Sequence, residues 1–384
     1  MRKREYPGID LFRMAAAVMV IAIHTAPLSV WNDTADFMIT YCLGRVAVPF
    51  FFMVTGFFVL GPYLAEQAGK KRAAKSISAA GAKSSTRSSD ICGRSGSSNI
   101  GSKSSTTRSS TRLARFFRKN ILIYLGVTLL YLPFAVYSGN LPHSIGEALK
   151  MLVFDGTFYH LWYFPAVLLG LALTAGISKL SVKAAAVLSV TAYVIGVSGD
   201  SWYGLAERIP FLDTVYQGIF EFTSYTRNGI FFAPLFLMLG AAVSRVRISR
   251  SACRLGCAVS VLVLLLEGYF TYTSHIQRHN SMYFALPFVM FFLFRILLDV
   301  RGKSPGWVRD CSMLIYILHP AVIVAVRGAA DVTHTTKWLV DNTLIEFAAV
   351  SLAAWILSYI IQKIWRGHTV RSRMARAGSG KGGR

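Results

Sequence analysis

A chain of 384 residues with 54% apolar and only 15% charged residues is too hydrophobic for a soluble domain, where about a quarter of residues carry charge. The formal net charge of +23 raises nucleic acid as a partner, but the basic residues flank apolar stretches, which is a membrane topology signal and argues against it. Five cysteines, Cys42, Cys92, Cys253, Cys257 and Cys311, lack the spacing and the neighbouring histidines of a zinc or disulfide framework, and read as small apolar filler.

A helix needs about 20 apolar residues to cross a bilayer. Ten stretches qualify, at 9–30, 37–62, 119–138, 160–177, 182–198, 229–245, 253–274, 281–299, 312–327 and 343–364. The expected fold is therefore all-α, a polytopic transmembrane bundle of about ten spans. The amphipathic region 200–228 has room for a further half-helix. With the N-terminus inside, the cytoplasmic segments hold 32 Lys/Arg, the opposite loops six and the spans three, Arg13, Arg45 and Arg295. That asymmetry places both termini in the cytoplasm. Residues 1–4 and the first span read as a retained signal anchor, since no small-residue cleavage site follows.

The expected organisation runs in four parts. Residues 1–65 hold the first two spans, and residues 66–111 form an insert of Ser, Thr, Gly, Ala and Lys/Arg without an aromatic residue. Such a segment buries too little apolar surface to offset its ordering entropy and is expected to be disordered. Residues 112–366 hold the remaining bundle and residues 367–384 a basic cytoplasmic tail.

The first span carries Asp10, Arg13 and His24. At about 100° per residue all three share one stripe. Ionisable groups in a span are costly and face a bundle interior or a water-filled cavity, so this helix reads as one wall of a chamber. His24 lies roughly 22 Å along its helix and Arg45 roughly 12 Å down the next, by the rise per residue. The two reach similar depth, where a guanidinium beside an imidazole suits anion binding around a general base. Asp10 and Arg13 have the spacing of an intrahelical pair.

Glu267 is the acid deep in a later span, placed to partner Arg45 or to orient His24. His319 precedes Pro320 in mid-helix. It either lines the chamber or bonds the carbonyl that the proline frees. Arg115 and Arg118, three apart, suit phosphates or anchor the chain at the cytoplasmic face. Residues 160–165, HLWYFP, read as interfacial aromatic anchors. Arg227-Asn228 and Gln277-Arg278-His279-Asn280 either gate an outer pocket or are ordinary hydrated loop residues. No phosphate-binding Gly-rich loop, HExxH, GxSxG or CxxC is present, which disfavours an ATP-driven pump or a soluble-type hydrolase.

The residues resemble the acyltransferase 3 family of bacterial multi-pass membrane proteins. The match comprises Asp10-Leu-Phe-Arg13 with His24, Arg45-Val-Ala-Val-Pro-Phe-Phe-Phe with Thr55-Gly56-Phe57, and Arg115-x-x-Arg118, extended by HLWYFPAVL at 160–168 and SMLIYILHP at 312–320. The usual Ser-Gly-Phe of the family is here Thr55-Gly56-Phe57. The resemblance implies transfer of an acyl group, commonly acetyl, from cytoplasmic acyl-CoA to an envelope carbohydrate or other hydroxyl or amine acceptor, at the bacterial plasma membrane. It makes His24 the base or acyl relay and Arg45 the oxyanion partner; Glu267 joins these as a catalytic candidate from its position in an apolar span alone. Arg115 and Arg118 would hold the CoA phosphates and Arg13 would support the chamber, which Asp10 and His319 line on the reading of the residues themselves. The expected partners are that acceptor and membrane lipids, with no metal and no nucleic acid.

Residues 226–241 and 277–294 resemble more narrowly the membrane half of the serine racemases of vancomycin-resistance clusters. The alternative this implies is a transport module for a small amino acid such as L-serine, Arg45 taking the carboxylate and Glu267 the ammonium. The sequence ends after the tenth span, so racemase activity is not expected of it.

Overall fold

The computed structural model describes residues 5–84 and 103–379, and among them every regular element is helical. The helices of ten residues or more are α1 (Pro7–Thr25), α2 (Asp33–Ala74), α3 (Lys103–Tyr137), α4 (Tyr163–Leu180), α5 (Val182–Ser198), α6 (Pro210–Phe222), α7 (Ala233–Ala242), α8 (Arg250–Thr273), α9 (Leu286–Asp299), α10 (Gly306–Val332) and α11 (Thr343–Ser379). Each of the ten apolar stretches has its helix, and α6 is the extra amphipathic one. Seven helices are long and apolar enough to cross a membrane, whereas α5 and α7 are shorter apolar helices and α9 has 14 residues.

Three stretches differ from the expectation. The first helix stops at Thr25 instead of reaching residue 30. Ala26 turns left-handed at φ 45° and returns its N–H to Ala22 O, and Pro27 comes next, a combination that ends helices. The insert at 66–111 is helical on both flanks, because helix continues through Gly61–Ser84 and resumes at Lys103. Alanine and lysine after Lys70 favour helix by intrinsic propensity. Residues 85–102, the centre of the segment expected to be disordered, lie outside the described residues, as do residues 1–4 and 380–384. The basic tail expected from residue 367 continues α11 as far as Ser379.

The chain divides into two compact units, Met1–Phe51 with Ile248–Arg384, and Phe52–Arg247. In the first, α1 packs on α10, α10 on α11 and α8 on α9. Its core sets Ala17 and Ile21 against Ile315, Val322, Val350 and Ala354. Small residues at such seams let helix backbones approach closely, which is how helices associate where lipid removes the hydrophobic drive. Beyond the core, Thr343 donates its hydroxyl to Pro27 O at 3.2 Å. Arg327 donates to the buried Glu346 at 2.6 Å. These bonds tie the end of α1 and the end of α10 to the start of α11.

The second unit is built on aromatic packing. Phe52 meets Trp162, Tyr163 and Phe232, and Tyr193 meets Phe232 and Phe236. Trp162 and Phe164 are buried, so the HLWYFP run is interior packing and not the interfacial anchor that its composition predicts. Asn228 is buried and organises the turn before α7. It donates to Thr223 Oγ1 and Tyr225 O and accepts from the N–H of Ile230 and Phe231. Arg227 lies over the Tyr225 and Trp162 rings, 4.5 and 5.2 Å from their centroids. The reading of Arg227-Asn228 as hydrated loop therefore fails for Asn228, whose side chain replaces water with backbone partners.

Candidate functional site

His24 lies in the last turn of α1, and His319 is fully buried on α10. Their rings stack with centroids 5.3 Å apart and planes inclined by 21°. The local reason for the His319 position is in the sequence. Pro320 sits inside α10 and has no N–H for the carbonyl four residues back, which is Tyr316 O. His319 Nδ1 occupies that acceptor at 2.8 Å and approaches Ile315 O at 3.2 Å. A carbonyl oxygen only accepts, so Nδ1 carries the hydrogen and Nε2 of the neutral ring carries the lone pair. Of the two sequence readings of His319, the structure shows the carbonyl partner.

Arg45 is positioned by an irregular stretch of α2. A π-helical segment, Phe37–Cys42, passes into a 3₁₀ turn, Leu43–Val46. Departures of this kind re-aim the residues beyond them and recur at functional sites. Arg45 Nε donates to Asn280 O at 2.7 Å and its Nη2 to Asn280 Oδ1. Its guanidinium also lies 5.4 Å from the Tyr41 ring centroid. Gly44 brings this turn against α1, since a Cβ there would stand 3.4 Å from Ile23 Cγ1. The turn that carries Arg45 therefore packs on the end of α1, against the residue that precedes His24. The segment before α9 is no ordinary hydrated loop, because Asn280 grips Arg45 and Gln277 donates to Thr271 at 2.6 Å.

Glu267 stands on α8 facing that same segment. Its two carboxylate oxygens accept the N–H of Phe284 at 2.7 Å and of Ala285 at 2.9 Å. Backbone donors at a helix start have no partner within the helix, so a carboxylate there caps α9. Asp10 and Arg13 lie at the other end of α1, 3.8 Å apart. Asp10 also accepts from Ser304 Oγ at 2.7 Å, which joins α1 to the α9–α10 connection. Arg115 and Arg118 belong to the second unit, one turn apart on α3 and exposed. Among the described residues no carboxylate pairs with either.

The structure thus joins His24 with His319, joins Arg45 with Asn280 and gives Glu267 a capping arrangement. Asn280 was visible in the sequence only as a member of a polar cluster. Its carboxamide reaches Arg45 across 235 positions, and no local pattern encodes that pairing.

Comparison with known proteins bears on the whole chain. Residues 6–363 match the acyltransferase domain family. An amino-acid racemase of Enterococcus faecalis is 34% identical over 371 residues, 95% of this chain and 47% of the relative. A serine/alanine racemase of Enterococcus gallinarum is 34% identical over 382 residues, 96% of this chain and 48% of the relative. The chain spans about half the length of these curated relatives. No solved structure matches. With a family match along nearly its whole length and an all-helical fold rich in membrane-length helices, this chain belongs to the acyltransferase domain family of multi-pass membrane proteins.

Proposed function

We propose that the protein transfers an acyl group, acetyl in the simplest case, from acyl-CoA to a hydroxyl or amine acceptor of the cell envelope. The observation that carries this reading is the stacked pair of His24 and His319 beside the Arg45 turn, in a chain of the acyltransferase family. His24 takes the proton of the acceptor group. The acceptor atom bonds the acyl carbon, the carbon–sulfur bond of the thioester breaks, and the thiolate leaves and regains a proton from His24. Arg45, held by Asn280, stabilises the negative charge that develops on the acyl oxygen. Arg115 and Arg118 hold the phosphates of the donor. Glu267 maintains the segment that carries Asn280 and is not itself a proton carrier. Both termini lie in the cytoplasm, as the charge asymmetry of the loops supports, around a bundle of about ten apolar helices.

The test is purified protein in liposomes with radiolabelled acetyl-CoA and an envelope glycan fraction. Label transferred to the acceptor by the wild type and lost in His24→Ala supports the enzyme.

A second reading is favoured by the names of the relatives, which are amino-acid racemases. In it the chain is a membrane module that moves an amino acid such as L-serine, with Arg45 on the carboxylate. Saturable serine uptake by the same liposomes, with no thioester consumed, would establish that reading in place of the first.

A further inference from the structure

Away from His24 and Arg45, the first unit carries two adjoining cavities where the start of α8 meets the end of α9. One, of about 250 Å³, is lined by Arg250, Cys253, Arg254, Ile296, Asp299 and Val300. The other, of about 290 Å³, shares Arg250, Asp299 and Val300 and adds Arg301 and Glu5. Three guanidiniums thus face two carboxylates. Asp299 pairs with Arg250 at 3.6 Å. Among the described residues neither Arg254 nor Arg301 has a carboxylate within salt-bridge distance. The cavities therefore hold two guanidiniums outside any ion pair and a surplus of positive charge.

A second feature rises from the same place. Leu255, Val259, Leu262 and Leu266 of α8 are all exposed, between 52% and 67%. Their spacing of four, three and four puts them on one face of the helix. α8 has 24 residues, about 36 Å at the helical rise, which exceeds the roughly 30 Å of a hydrocarbon core. An arginine-lined hollow at the foot of an exposed apolar ridge on a membrane-length helix has the chemistry of one ligand class, a phosphodiester headgroup joined to hydrocarbon chains.

We propose that these cavities bind the headgroup phosphate of an anionic phospholipid. Arg254 and Arg301 contact the phosphate, and the acyl chains lie along the α8 ridge. Guanidinium forks suit phosphate oxygens, and basic residues at the ends of membrane helices draw anionic lipids. The site is independent of the transfer reaction and does not rest on it.

The experiment reconstitutes the protein with equal phosphatidylglycerol and phosphatidylcholine, extracts it in mild detergent and counts the retained lipids by native mass spectrometry. Wild-type protein should retain phosphatidylglycerol selectively. Arg254→Gln/Arg301→Gln should lower that selectivity by about thirtyfold, at the usual contribution of each basic residue near a lipid surface. Arg254→Lys/Arg301→Lys should keep most of it, which separates charge from folding. The charge-matched control Lys183→Gln/Arg208→Gln, in the other unit, should change nothing. Equal retention of both lipids by the wild type overturns the proposal, as does an equal loss in the control. Full displacement of the lipid by glycerol 3-phosphate would assign the site to a soluble phosphate and overturn the lipid.

Discussion

Replacing Pro320 with alanine should move stability and activity in opposite directions. The substitution restores an N–H four residues beyond Tyr316 O, the carbonyl that His319 Nδ1 now engages at 2.8 Å. Proline in a helix interior is about 3 kcal/mol less favourable than alanine. Pro320 is buried, and its loss withdraws two methylenes at about 0.8 kcal/mol each. The net is a gain of about 1 kcal/mol. The new N–H competes with His319 for its acceptor and weakens a neutral hydrogen bond of about 0.5–1.5 kcal/mol. If that bond holds the ring against His24 in the reactive arrangement, the rate falls by about two- to tenfold, at 1.36 kcal/mol per decade. Thermal unfolding in detergent, followed by intrinsic fluorescence, reads the first quantity. Thioester consumption in proteoliposomes reads the second. A raised midpoint with an unchanged rate refutes the role assigned to the His319 bond. A fall in both refutes it too, because the effect would then be lost ring packing.

Glu267→Ala should destabilise the fold by about 2–4 kcal/mol. Charge-assisted bonds contribute about 1.5–3 kcal/mol each, and the figure is reduced because Phe284 is exposed and its N–H regains water. An unchanged midpoint with abolished transfer would make Glu267 a catalytic residue instead. Asn280→Ala should leave folding intact and slow transfer by about tenfold or more, the range for removing a group that orients a charge stabiliser; an unaltered rate would detach Arg45 from the reaction. Gly156→Ala should abolish monodisperse protein on size exclusion. Gly156 has φ +84°, and a Cβ there would lie 2.4 Å from the Trp162 amide nitrogen, so both conformation and space forbid it. A folded variant would show that the turn can shift.

Periodicity and apolar length made the helices legible, because spans must satisfy their backbone internally and lipid leaves few alternatives. Helix ends were less legible. The stop after Thr25 depends on one left-handed residue, Ala26, and alanine seldom signals that conformation. Likewise the HLWYFP run has the composition of an interfacial belt, but its rings stack on residues of α2 and on Phe232 before α7, a tertiary choice that composition does not encode. At the candidate site, His24, Arg45 and His319 stood out because polar groups are rare in apolar helices. Their partners did not. The Tyr316 carbonyl could be inferred from Pro320, whereas Asn280 required the fold.

The π-helical segment at Phe37–Cys42 sets the rotational phase of the remainder of α2. One residue in an α-helix turns the chain by about 100°, so shortening that segment by a single residue would swing Arg45 away from Asn280 without changing any side chain at the site. The aim of the guanidinium is thus stored in a count of backbone units upstream, and insertions or deletions before Leu43 bear on the site as directly as substitutions within it.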